Sequence, residues 1–171
     1  MKNIFTFILV INFCLMVFYS NIYAADVYIE ESYDEFTQIT WYTPESDEWQ
    51  NIYVYIGVKE ELNWMRLVVK YNEKYWIFFE SVYLLYDQNV KKINFDYSDK
   101  ESKVSDHGYV LEYIDISIND DLINYLDNFS KADVSKMRLS GQFNKDIVIT
   151  DLEKKGIRLI IDKYKEINKI Y

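Results

Sequence analysis

Residues 52–56, Ile-Tyr-Val-Tyr-Ile, alternate aliphatic and aromatic side chains with a strict period of two. Only a β-strand sends such neighbours to opposite faces. A strand of this kind needs a sheet around it, with Ile52, Val54 and Ile56 turned to a core and Tyr53 and Tyr55 away from it. Similar runs occur at 36–42, 64–71, 75–86, 90–97, 109–117 and 134–140, giving about seven strands. The run 75–86 is the most apolar. Its segment Trp76-Ile77-Phe78-Phe79 has no polar alternate, which predicts a central strand covered on both faces.

The punctuation between runs is sparse. Pro44, the only proline, lies in an expected loop at 43–48, and Asp87-Gln88-Asn89 reads as a turn. Residues 98–108 read as a charged loop.

Helical spacing enters late. A short helix is expected near 119–129, capped by Asn119 or Ser117, with Leu122, Ile123, Tyr125, Leu126 and Phe129 on its inner side. Thr150 and Glu153 form a capping box that opens a C-terminal helix near 151–169. Strands joined by short links, followed by helices, predict an α+β fold. Its core would be an antiparallel β-meander sheet or sandwich.

The N-terminus reads differently. Lys2 precedes an uncharged apolar stretch at 4–19, and no acid occurs before Asp26. This is the layout of a secretory signal, with cleavage expected after Ala24. A retained anchor is the competing reading, but the apolar run is short for the roughly 20 residues that span a bilayer. Lipid attachment at Cys14 would need a small residue before it, and Phe13 stands there. The expected organisation is a signal at 1–24, an acidic tether at 25–33 and one domain at 34–171. The product would be secreted or periplasmic, with no stable membrane insertion after cleavage.

Cleavage would remove Cys14, the only cysteine, so the mature domain would have no disulfide and no thiol chemistry. It would also remove Lys2 and take the net charge of −9 one unit lower. Such a domain repels phosphate backbones, which argues against nucleic acid as a partner.

Few residues offer chemistry. His107 is the only histidine and sits in the charged loop beside Asp106. No Gly-x-Ser-x-Gly elbow accompanies it, which disfavours a hydrolase triad. One histidine and no mature cysteine argue against zinc and haem. The acidic clusters around Asp96 and Asp120 lack the ligand spacing of a calcium loop, and the four glycines are scattered rather than set in a phosphate-binding loop. No cofactor is expected.

Glu80, Glu112 and Asp115 are the carboxylates that a glycoside hydrolase would use. However, Glu112 and Asp115 differ by three and would point to opposite faces of a strand. Arg138 lies between Met137 and Leu139, where a guanidinium calls for a carboxylate, with Glu112 the expected partner. Trp41 and Trp76 are expected in the core. Trp49, in an acidic loop, is the indole expected to be exposed and able to stack on a sugar.

The series Asp34-Glu35-Phe36-Thr37, Trp41, Tyr75-Trp76-Ile77-Phe78, Glu112 and 132–141, closing on Tyr164, resembles a group of uncharacterised exported bacterial proteins and lipoproteins. In that group a β-rich domain carries an aromatic-apolar strand and a late Arg-x-x-Gly segment. The resemblance implies export and an α+β or β-rich fold, and carries no activity. The expected role is therefore a non-enzymatic exported domain that binds an envelope protein or glycan, or serves a structural purpose. Arg138, Glu112 and Trp49 are its candidate site residues. The alternative is a small carboxylate-dependent glycoside hydrolase.

Intact-mass measurement of exported material should place the first residue at Ala25 and detect no free thiol. A mass that includes Met1 would refute the cleavage reading.

Overall fold

The computed structural model describes residues 26–46, 49–104 and 108–169. The expected signal at 1–24, Cys14 and His107 lie outside these residues.

Among the described residues, ten strands form two antiparallel sheets and two helices follow late in the chain. The architecture is α+β, as the sequence pattern implies. The larger sheet has the order β1 (Val27–Asp34), β2 (Ile39–Ser46), β3 (Ile52–Lys59), β4 (Leu62–Glu73), β8 (Val110–Ser117), β7 (Lys100–Val104). The smaller runs β10 (Asn144–Val148), β9 (Ser135–Gly141), β5 (Phe79–Tyr86), β6 (Asn89–Asn94). The helices are α1 (Asp120–Lys131) and α2 (Asp151–Ile167).

The period-two pattern of β3 is realised as expected. Ile52, Val54 and Ile56 are fully buried, and Tyr53 and Tyr55 lie on the opposite face. Met65, Leu67 and Val69 of β4 join them, and one apolar cluster continues through Val82 and Leu84 of β5 and Met137 and Leu139 of β9. Leu126 and Phe129 of α1 and Ile157, Ile160 and Ile161 of α2 complete it. Each such side chain, taken out of water, contributes about 1.5–3 kcal/mol, and no disulfide shares that load.

Helix α1 is capped by Asn119, which accepts from the Leu122 amide at 3.0 Å. The capping box of α2 is present, and Glu153 does more than cap. Its Oε1 accepts the backbone N–H of Asn51 at 2.6 Å, tying the helix start to the entry of β3. Helix α2 packs over β1, β2 and β3 and against α1. One face of the larger sheet is thereby covered, and the other, which carries Tyr53 and Tyr55, is turned away from the helices.

Four expectations are corrected. Residues 25–33, read as a tether, contain most of β1, paired along its whole length with β2. Val27 and Ile29 point inward, and Glu30 and Ser32 are solvated on an edge strand that charges protect from further pairing. Second, the turn falls at residues 35–38, where the Asp34 carboxylate accepts the amides of Phe36 and Thr37. Strand β2 therefore runs on through Pro44. Pairing with β3 covers only Thr40, Trp41 and Tyr42, so the proline lies where the ladder is one-sided and a missing N–H is tolerated. Third, residues 98–108 are not simply a loop. A 3₁₀ turn at Tyr97–Asp99 leads into β7, an edge strand whose charged composition resembles that of a loop. Fourth, β10 has no counterpart among the expected strands, because Asn-Lys-Asp-Ile-Val is a polar edge strand.

The run 75–86 also divides. The strand begins at Phe79, and residues 75–78 are irregular, with Phe78 at φ +51°. Gly141 packs directly on this segment. A Cβ there would come 2.0 Å from the Phe78 carbonyl oxygen and 2.5 Å from Phe79 Cα, both backbone atoms that cannot swing aside.

Gly141→Ala should therefore lower unfolding stability by about 1–3 kcal/mol, the usual cost of overpacking. Urea unfolding should show this as a lower midpoint at unchanged slope. An unshifted midpoint would mean the 78–79 backbone can yield.

Candidate functional site: a buried carboxylate beneath an aromatic cleft

Glu112 lies on β8 between the inward-facing Val110 and Ile114, and it is fully buried. Its phase along the strand dictates that position, so its charge has to be met from within. Oε1 accepts the backbone N–H groups of Ile77 at 2.8 Å and Phe78 at 2.9 Å. Oε2 accepts that of Phe79 at 3.1 Å and the Lys100 ammonium at 2.6 Å. Lys100 comes from β7, next to β8, and also donates to the Phe79 carbonyl at 2.8 Å. Its ammonium stands 4.4 Å from the centre of the Phe79 ring.

Burial would by itself raise the Glu112 pKa. The Lys100 ammonium and the amides of Ile77 and Phe78 outweigh it and hold the carboxyl below its ordinary 4.5. Glu112 is thus an anion that binds three successive amides. These are the groups that a continuous strand would have paired in a ladder. The carboxylate takes the place of that ladder where the chain leaves one sheet for the other, and it sustains the left-handed backbone at Phe78.

Above this network lies a cleft of about 650 Å³. Its walls include Trp76, Phe78, Phe95 and Tyr97, with Glu80, Ser102 and the nearly buried Lys100 supplying polar atoms. The Trp76 and Phe78 rings stack with centroids 5.7 Å apart and planes within 17°. Phe95 meets Phe79 edge-on at 5.7 Å. Phe78 is about half exposed, and Tyr97 almost wholly so. Such a surface offers aromatic faces to apolar C–H groups and a few hydrogen-bonding groups at its margin.

The candidate residues named from sequence do not converge. Arg138 does not meet Glu112. Met137 and Leu139 face the core, so the residue between them points out of the smaller sheet. There Arg138 forms a bidentate pair with Asp146 of β10, at 2.5 and 2.6 Å, and both side chains are solvent-exposed. Glu112 points inward from the other sheet. Trp49 is half exposed and stands apart from the cleft, with the Lys70 ammonium 5.4 Å from its ring centre. Trp41 and Trp76, expected in the core, are only partly buried. Trp41 lies on the outer face of the larger sheet and Trp76 in the cleft wall. Asp115 faces away from Glu112 and is bound by Arg66 and the Tyr55 hydroxyl.

Sequence reading missed Lys100, Phe95 and Tyr97. One signal was available for the first. A carboxylate at the inward phase between Val110 and Ile114 requires a cation on a neighbouring strand. Among the described residues, no group of three or more His, Cys, Asp or Glu side chains is arranged to hold a metal ion. No helix among them is long and apolar enough to cross a membrane. No family model, curated protein or solved structure matches the chain.

Glu112→Gln leaves the Lys100 ammonium nearly buried and without its counter-charge. The expected cost is about 3–5 kcal/mol at pH 7. A depressed carboxyl pKa contributes stability that is complete above the unfolded value and is lost as pH falls through the folded one. The gap between parent and variant should therefore narrow as the pH drops below 4.5. Urea titrations across that range test both statements, and a cost under about 1 kcal/mol at pH 7 would refute the role assigned to the pair.

Proposed function

We propose that this chain is an exported, non-catalytic binding domain, secreted or periplasmic, whose aromatic cleft seats a sugar unit of an envelope glycan. The stacked Trp76–Phe78 pair carries this reading. It is presented to solvent on a backbone that a fully bonded carboxylate holds in a left-handed conformation. Nonpolar rings fixed at a surface in this way are preorganised for a flat, C–H-rich ligand, and preorganisation lowers the entropic cost of binding. Export rests on the basic, apolar and acid-free character of residues 1–24 and on the resemblance described above.

The geometry gives less support to a carboxylate-dependent hydrolase. That chemistry needs one acid protonated near neutral pH and a second one free to act. Glu112 is held below its ordinary pKa, and both its oxygens are occupied by donors. Glu80 borders the cleft without it.

Binding to immobilised envelope glycans should be abolished by the double variant Trp76→Ala, Phe78→Ala. Glu80→Gln should weaken it only a few-fold. No reducing ends should accumulate with the parent protein. Polysaccharide turnover lost in Glu80→Gln would overturn this reading in favour of the hydrolase.

A further inference from the structure

The face of the larger sheet turned away from the helices carries a second aromatic set, unconnected with the cleft. Trp41, Tyr53, Tyr55 and Trp64 all lie on it, out of phase with the buried Ile52, Val54 and Ile56. All four are only partly buried. They form a continuous row: Trp64 to Trp41 at 5.8 Å, Trp41 to Tyr55 at 5.7 Å, Tyr55 to Tyr53 at 6.5 Å. Gly57 lies opposite both indoles in the ladders. A Cβ there would fall 2.4 Å from the Trp64 ring and 2.8 Å from that of Trp41, so the glycine is what lets both rings lie across the strand.

At the end of the row stands Lys70. Its ammonium is 4.6 Å from the centre of the Tyr53 ring and 5.4 Å from that of Trp49. Arg66, the neighbouring cation on β4, is committed to Asp115 at 2.7 Å. Among the described residues, Lys70 has no carboxylate within ion-pair distance. The charge of Glu45 reaches it only at longer range, and desolvation lowers its pKa. Two rings hold this ammonium in place of a carboxylate from the described residues.

We propose that this face docks an extended polysaccharide bearing isolated carboxylates, its sugar rings stacking along Trp64, Trp41 and Tyr55 and one carboxylate received by Lys70. A row of rings at nearly even spacing suits a chain rather than a compact ligand. Lys70, which has no carboxylate within ion-pair distance among the described residues and touches the ring at the end of the row, supplies the complementary charge. The acidic surroundings, which include Glu30, Glu45 and Asp115, disfavour a dense polyanion such as nucleic acid. Their repulsion of widely spaced carboxylates is screened beyond about 8 Å at physiological salt.

The test uses mature protein with two oligosaccharides of equal length, one of glucose units with a single uronic acid unit among them and one of neutral glucose units alone, followed by calorimetry. The uronate oligomer should bind more tightly. Lys70→Met should weaken it about tenfold, as for one lost charge-assisted contact, and leave the neutral oligomer unchanged. Lys70→Arg should retain most of the affinity. Trp41→Ala should weaken both oligomers, with Tyr55→Ala as a second variant should Trp41→Ala fail to fold. Val148→Ser, on the exposed edge strand of the smaller sheet, should leave the uronate affinity unaltered. Equal affinity for the two oligomers, no binding of either, or an uronate affinity indifferent to Lys70→Met would each overturn the proposal.

Discussion

The ion pair between Glu112 and Lys100 is the constraint on which the rest of this structure depends. It joins β8, β7 and the segment that carries the chain from β4 into β5. Crossing between sheets leaves buried and part-buried backbone amides without ladder partners. Unpaired, each would cost about 1–3 kcal/mol. One carboxylate meets three of them, and one ammonium meets the carboxylate and the Phe79 carbonyl. Whole domains are stable by only about 5–15 kcal/mol, so a network worth several is a large fraction of the total.

The same network explains where exposed aromatics occur. With Ile77 and Phe79 buried on either side of it, the left-handed residue Phe78 is turned outward, and Trp76 stacks on it. Gly141 leaves room for this backbone from the neighbouring strand, which no larger residue would do. The cleft is thus a consequence of how the two sheets are joined. The aromatic row on the larger sheet has another origin. It follows from strict alternation in β3 and β4 combined with helices on one side only. Two exposed aromatic surfaces on one small domain therefore arise from two separate physical causes.

The fold was largely legible and the site much less so. Alternation in β3, the Asn119 cap and the Thr150–Glu153 box are local signals, and each appears in the structure where the residues call for it. Edge strands were harder. Strands β1, β7 and β10 carry charges on both faces or lie against solvent, so their composition resembles that of loops. The apolar run around Phe78 misled for the opposite reason. Its hydrophobicity serves a cleft wall and a core at once, and no period distinguishes that from a strand covered on both sides. Arg138 was expected to pair with Glu112, but a residue between two inward neighbours on one strand has to face outward.

Sequence by itself determined the period of β3, the capped helix starts, the opposite facing of Glu112 and Asp115 and the outward phase of Tyr53 and Tyr55, because these depend on residues close together along the chain. Only the tertiary structure decided that Lys100 answers Glu112, that Asp146 answers Arg138, and that Trp64, Trp41 and Tyr55 form one row. Those pairings join residues that are remote in sequence or lie on different strands. They are set by strand order and register, and many alternative partners of equal charge or ring character were available to each.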